Sequence, residues 1–223
     1  MQQVAKDLWV LRYPFALLGM PMGRTVTIIR LRSGELVIHS TGPFSAPDVT
    51  AIRSLGRPAW LLDATLSHDT FAIAGRKAFP DAAYFAPEGF PVRGGAAFSL
   101  RTLPASWEDE LEVLPLEGMP RVREHAFFHK PTRTLIVADL VFNFGAGSSA
   151  WMRKFFRVVG GIRSYPGMSR LFKLLIWDRV AFSSSIQCLM QWDFDRLIVG
   201  HGEIIESGAK PQVAAALAAR GFW

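Results

Sequence analysis

The sequence predicts an α/β fold, on three observations. Apolar, β-branched runs of strand length alternate with segments of helical spacing. The stretch from Ala59 to Pro87 reads as strand, polar loop, short helix and second strand. Histidines and an aspartate stand where apolar runs end, and strand-end loops are where α/β proteins place their chemistry.

Taken in order, Leu8-Trp-Val-Leu is a short opening strand, followed by a Pro/Gly loop from Tyr13 to Gly23. Arg24 to Arg32 and Glu35 to Ser40, joined at Ser33-Gly34, form a β-hairpin. Pro47 to Gly56 is a helix with Gly56 as its C-cap. Ala59-Trp-Leu-Leu is a strand that delivers the chain to Thr65-Leu-Ser-His-Asp-Thr-Phe-Ala-Ile-Ala-Gly75; a short helix and the strand Ala83-Tyr-Phe-Ala follow. Trp107 to Leu116 is an acidic turn entering a strand, Arg121 to His129 alternates as a strand, and Thr134-Leu-Ile-Val-Ala-Asp139 is a buried strand with a functional tip. Trp151 to Arg179 is basic and aromatic, and fits two short amphipathic helices joined near Gly160-Gly161 and Pro166-Gly167. A helix from Phe182 to Gln191, a strand from Phe194 to Gly200 ending at His201-Gly202, and an Ala-rich helix from Lys210 to Arg220 close the chain.

Composition bounds the function. Half of the 223 residues are hydrophobic and a fifth are charged, which is a globular balance. Without a repeat, low-complexity linker or composition break, residues 1–223 read as a single domain with a basic-aromatic helical insertion at about 148–180. The net charge of +6 suggests an anionic partner without identifying one, and the dense Lys/Arg run of a nucleic-acid binder is missing. The single Cys188 excludes an internal disulfide framework and a cysteine-based zinc cluster; on a helix, it is expected to be a buried, inert thiol. With no signal-peptide core and no apolar run of membrane-spanning length, a cytoplasmic soluble protein is the expectation. The many Phe and Trp residues of the insertion suit a homodimer contact.

The stretch from Thr65 to Gly75 resembles the metal-binding loop of the metallo-β-lactamase superfamily, Thr-His-x-His-x-Asp-His-x-Gly-Gly. Thr65 and His68 match; Leu66, Thr70 and Phe71 stand where a His, an Asp and a His are expected. Further fragments resemble an uncharacterised branch of that superfamily, a domain of unknown function: Asp7-Leu-Trp, Ile38-His-Ser, Phe79-Pro-Asp-Ala, His129-Lys-Pro-Thr-Arg-Thr-Leu, Ala138-Asp-Leu-Val-Phe-Asn and Trp192-Asp-Phe-Asp-Arg. The resemblance implies an αββα four-layer sandwich. It also implies metal ligands at His68, at Asp139 in the bridging position, at His201 in the late Gly-His position, and at Glu124 or His125 between them. Leu and Phe cannot ligate a metal and Thr is a poor substitute for a carboxylate, so two well-held ions are not expected.

Two functions follow. In the first, one zinc, iron or manganese ion is held by these residues and activates water against an ester, lactone, amide or phosphoester, with Asp69 as a candidate acid/base. In the second, no metal is held and the fold serves as a non-catalytic binding protein for a small molecule. His39 and His129 are expected to be structural hydrogen-bonders, and Ser183-Ser-Ser185 lacks the context of a serine nucleophile.

Overall fold

In the computed structural model, which describes residues 1–91, 97–107, 109–145 and 147–223, the chain opens with a hairpin of β1 (Gln2–Ala5) and β2 (Leu8–Tyr13). The polar β1 shows no strand periodicity in the sequence; it is held by the turn at Asp7, whose carboxylate accepts from Arg30 Nε at 2.7 Å. The Pro/Gly loop contains a small ribbon, β3 (Ala16–Leu17) and β4 (Met20–Pro21). Then come β5 (Arg24–Arg30), β6 (Glu35–His39), α1 (Ala46–Leu55), β7 (Arg57–Leu62), α2 (Ala72–Ala78), β8 (Ala83–Ala86) and β9 (Phe98–Ser99). The second half holds β10 (Leu111–Pro115), β11 (His125–His129), β12 (Thr134–Val137), α3 (Ala150–Val158), α4 (Arg170–Lys173), α5 (Arg179–Gln191), β13 (Arg196–Val199) and α6 (Ala209–Ala218).

Two sheets result. One has the order β1-β2-β5-β6-β7-β8-β9, antiparallel up to β6 and parallel from there; the other is β10-β11-β12-β13, with only β12 and β13 parallel. Side chains alternate across each strand, which sorts the core into layers. Ile29 and Val37 join Phe127, Ile136 and Ile198 between the sheets. Their neighbours Ile28, Leu36 and Ile38 face the other way, onto Ile52 of α1 and Ala72 of α2. Leu135 and Val137 point outward onto Phe182 and Ile186 of α5 and Val213 and Leu217 of α6. The order is therefore helix, sheet, sheet, helix. Strands buried on both faces read as continuous apolar runs, which is why β5, β6 and β12 stand out in the sequence.

Three expectations need correction. Gly56 follows α1 in an extended conformation (φ 162°) and is not a left-handed cap; a Cβ there would strike the carbonyl of Gly34, so close approach is what requires glycine. The strand expected from Arg121 begins only at His125, because Arg123 takes a positive φ of 47° and the preceding residues turn. Cys188 does lie on a helix, α5, but is exposed: the buried stripe of that helix is Phe182, Ser185, Ile186, Leu189 and Met190, and position 188 falls outside it.

Candidate metal centre

His68, Asp139 and His201 converge, with one ligand atom from each within 4.8 Å of the others. They come from the loop after β7, the tip of β12 and the tip of β13. His68 Nε2 lies 3.3 Å from Asp139 Oδ2 and His201 Nε2 lies 3.5 Å from Asp139 Oδ1, so the carboxylate offers one oxygen to each ring.

Local backbone sets each side chain. His201 sits between two glycines that a larger residue could not replace: a Cβ at Gly200 would come within 2.6 Å of the Ala138 carbonyl, and Gly202 adopts φ +117° against Asn143. Its Nδ1–H donates to the Gly23 carbonyl at 2.5 Å, which leaves Nε2 with a lone pair directed at Asp139. The rings of Phe15 and Phe142 stack near-parallel on it, with centroids at 5.6 and 6.1 Å. His68 follows Thr65, whose hydroxyl donates to the Val122 carbonyl at 2.9 Å. Gly75 lets α2 approach Thr41, whose side-chain carbons would lie 2.8 Å from an added Cβ.

The electrostatics are those of a dry site. Burial, then the nearby Arg24, lowers the His68 pKa to about 4; burial also lowers His201. Burial alone would raise Asp139, but His68, His201 and Arg24 outweigh it and hold the carboxylate ionised. Neither nitrogen of His68 has a hydrogen-bond partner within bonding geometry, although the side chain is buried. Such orphaned buried nitrogens beside a carboxylate fit a bound cation.

The other sequence candidates lie apart from this group. Glu124 is fully buried, but its carboxylate accepts the backbone N–H groups of Ala138 (2.8 Å), Asp139 (3.1 Å) and Leu140 (3.2 Å). Its oxygens are engaged in shaping the loop that carries Asp139. His125 Nδ1 is 3.1 Å from the Arg123 carbonyl, and its backbone N–H donates to Ala64. Neither Glu124 nor His125 joins the converging atoms. Asp69 is exposed, and its carbonyl accepts from Ala72 at the start of α2. His39 is packed edge-on to Phe127 at 4.7 Å, and His129 Nδ1 is 2.7 Å from Thr132 Oγ1. Leu66 is partly buried against the core beneath α1 and α2, Thr70 is exposed, and Phe71 meets Phe15 edge-on.

Two charged residues at the site are missing from the sequence reading. Arg24, at the start of β5, is buried and donates to Asp63 Oδ1 at 3.2 Å and to the His68 carbonyl at 3.3 Å. Asp63, at the end of β7, also accepts from the Thr41 backbone, the Thr41 hydroxyl and the Tyr84 hydroxyl. The strand-end rule that singled out Asp139 and His201 applies equally to Asp63, one residue past Leu62.

This architecture is that of known solved structures. A metallo-β-lactamase from Pontibacter korlensis superposes with a TM-score of 0.65 at 15% identity, covering 97% of this chain and 96% of that one. The DIM-1 metallo-β-lactamase exposed to ceftazidime gives 0.64 at 14% identity, over 99% and 96%. The chain has the metallo-β-lactamase fold. A metallo-β-lactamase from Erythrobacter litoralis agrees at a TM-score of 0.61 and 12% identity, over 97% and 89%. No protein-family model and no curated protein matches the sequence. At these identities the metallo-β-lactamase fold is shared; the chemistry must be argued from the side chains present.

Proposed function

We propose that this metallo-β-lactamase-fold chain holds one divalent metal ion at His68, Asp139 and His201 and acts as a hydrolase. The observation that carries the reading is the pairing of His201 with Asp139. With its Nδ1–H given to Gly23, the neutral imidazole points a lone pair at a carboxylate oxygen 3.5 Å away. Two acceptors facing one another need a cation between them. A proton could serve, but burial lowers the basicity of both histidines, which favours a metal at neutral pH.

The spacing supports this. Two ligands at about 2.0–2.1 Å from one tetrahedral ion stand about 3.3–3.4 Å apart. The His68–Asp139 and His201–Asp139 separations are 3.3 and 3.5 Å. The mixed N/O donor set suits zinc, iron or manganese. When bound, such an ion supplies Lewis acidity and water activation, which suits ester, lactone, amide or phosphoester hydrolysis. His68 and His201 would hold the ion through Nε2, with Gly23 fixing the His201 tautomer and Phe15 and Phe142 stacked on that ring.

The test is elemental analysis of untagged protein beside His201→Ala. About one equivalent of transition metal in the parent, lost in the variant, is the expected result, and it directs a screen of hydrolase substrates. No metal in either after soaking with zinc, iron or manganese would overturn the reading.

A second reading, a non-catalytic binding protein, is favoured by Arg24. Its buried guanidinium already sets a positive charge near Asp139, and Leu66 and Phe71 add only apolar surface. Absence of metal would select it.

A further inference from the structure

We propose that the face formed by α3, α4 and the start of α5 docks on an anionic lipid bilayer, a property independent of the metal site. Residues 150–180 hold seven Lys/Arg and one Asp, a local charge of +6. That equals the excess of the whole chain, because the remaining residues carry eighteen of each sign. The same segment is where apolar surface is left uncovered. Among the described residues, eight of the fourteen exposed large hydrophobic side chains fall within it.

The two features share elements. On α3, Met152 and Phe156 are buried one turn apart, and the opposite side presents Trp151, Lys154, Arg157 and Val158. Trp151, Lys154 and Val158 follow helical spacing along one stripe, so ring, ammonium and aliphatic side chain reach solvent together. The carbonyl of Gly160 accepts the Arg170 N–H at 2.7 Å, which seats α4 directly against the end of α3. Arg220 fixes this junction by donating to the carbonyls of Gly160 and Gly161. Leu174, Trp177 and Val180, which are 73%, 60% and 79% exposed, continue the uncovered surface.

Charge complementarity selects the occupant. A second copy would bring an equally basic segment against the first, with one carboxylate within residues 150–180 of each copy to offset its seven Lys/Arg. An anionic bilayer answers both features: headgroups neutralise Lys and Arg, while Trp, Leu and Val enter the acyl boundary and the long basic side chains extend back to the headgroups. No helix among the described residues is long and apolar enough to cross a membrane, so the contact is peripheral.

The test is co-sedimentation of the full chain with vesicles of phosphatidylcholine alone and of phosphatidylcholine mixed with phosphatidylglycerol, with light scattering to give the oligomeric state. We expect binding to the anionic vesicles at least about tenfold above the neutral ones, weakened by salt. Lys154→Glu with Arg157→Glu should lower it by about tenfold or more. Leu174→Ser, at an exposed position, should lower it without altering the circular dichroism spectrum. No binding to anionic vesicles, equal binding to both kinds, or binding unchanged in the charge-reversed variant would overturn the proposal. So would a dimer that Leu174→Glu dissociates in protein that ignores vesicles, which would assign the face to a second copy.

Discussion

The backbone N–H of Asp139 donates to both carboxylate oxygens of Glu124, each at 3.1 Å. A side chain that the resemblance implies as a metal ligand is thereby committed to the loop that carries Asp139. Ala138 and Leu140 add their N–H groups to the same carboxylate. Removing the acceptor strands three buried donors, and each unpaired group costs about 1–3 kcal/mol. Glu124→Ala is therefore expected to destabilise by about 3 kcal/mol or more, and Glu124→Gln, which keeps one acceptor oxygen, by clearly less. Urea unfolding of both variants checks the ranking. Weaker zinc binding by Glu124→Ala, by about tenfold or more, should accompany it, because Asp139 loses its support. Equal stability of all three proteins would contradict this role.

Stability should also depend on pH in two opposed ways. Burial lowers His39 to about 3 and His129 to about 4, so both stay neutral in the fold while the unfolded chain takes up protons below pH 6.5. Their contribution is complete above pH 6.5 and is lost as pH falls to about 4 for His129 and about 3 for His39. Each proton steepens the slope by up to about 1.4 kcal/mol per pH unit. Glu124 acts in the other direction. Burial first, and then Asp139, raises it to about 8, so the unfolded carboxyl ionises from pH 4.5 upward while the folded one resists. His68, His125 and His201 are lowered in the same sense as His39 and His129, and Asp63 is raised like Glu124. Five imidazoles therefore outweigh two carboxyls below pH 6.5, and metal-free protein should be most stable near pH 6.5–7, with a shallow decline toward pH 8. Urea midpoints across that range measure this. The decline should shrink in Glu124→Gln; a decline unchanged there would assign it to Asp63, the other carboxyl that burial raises.

How much of this was legible follows from what a sequence pattern can carry. β5, β6 and β12 show as apolar runs because both of their faces are buried, and His68, Asp139 and His201 show because polar residues closing such runs are conspicuous. The partners that make the three side chains a site are invisible for a different reason. Gly23 contributes a carbonyl, which any residue possesses. Phe15 reaches His201 from a Pro/Gly loop whose residues carry no periodicity. Arg24 precedes an apolar strand and, by pattern, resembles the solvated charge that commonly flanks one; burial depends on the rest of the fold. Glu124 and His125 adjoin where β11 begins, and only the folded chain shows where each side chain goes, Glu124 to the N–H groups of residues 138–140 and His125 Nδ1 to the Arg123 carbonyl.

Arg24 gives the sharpest separation between stability and metal binding. Its guanidinium neutralises the buried Asp63 and lies close enough to Asp139 and His68 to influence the ionisation of both. Arg24→Met leaves Asp63 with its hydroxyl and amide donors but without a cation, and breaking a buried pair costs about 3–5 kcal/mol. Adding Asp63→Asn should recover part of that loss, since no unpaired charge then remains. Metal affinity should move the other way. A fixed positive charge beside Asp139 repels an arriving divalent ion and keeps His68 reluctant to take up positive charge. Without it, the His68 pKa should rise from about 4, which a nuclear magnetic resonance titration reads directly. Zinc affinity, measured by competition with a chelator, should rise while the urea midpoint falls. If stability and affinity fall together, Arg24 is a scaffold for the loop that carries His68. If they diverge, its charge sets the affinity of the site.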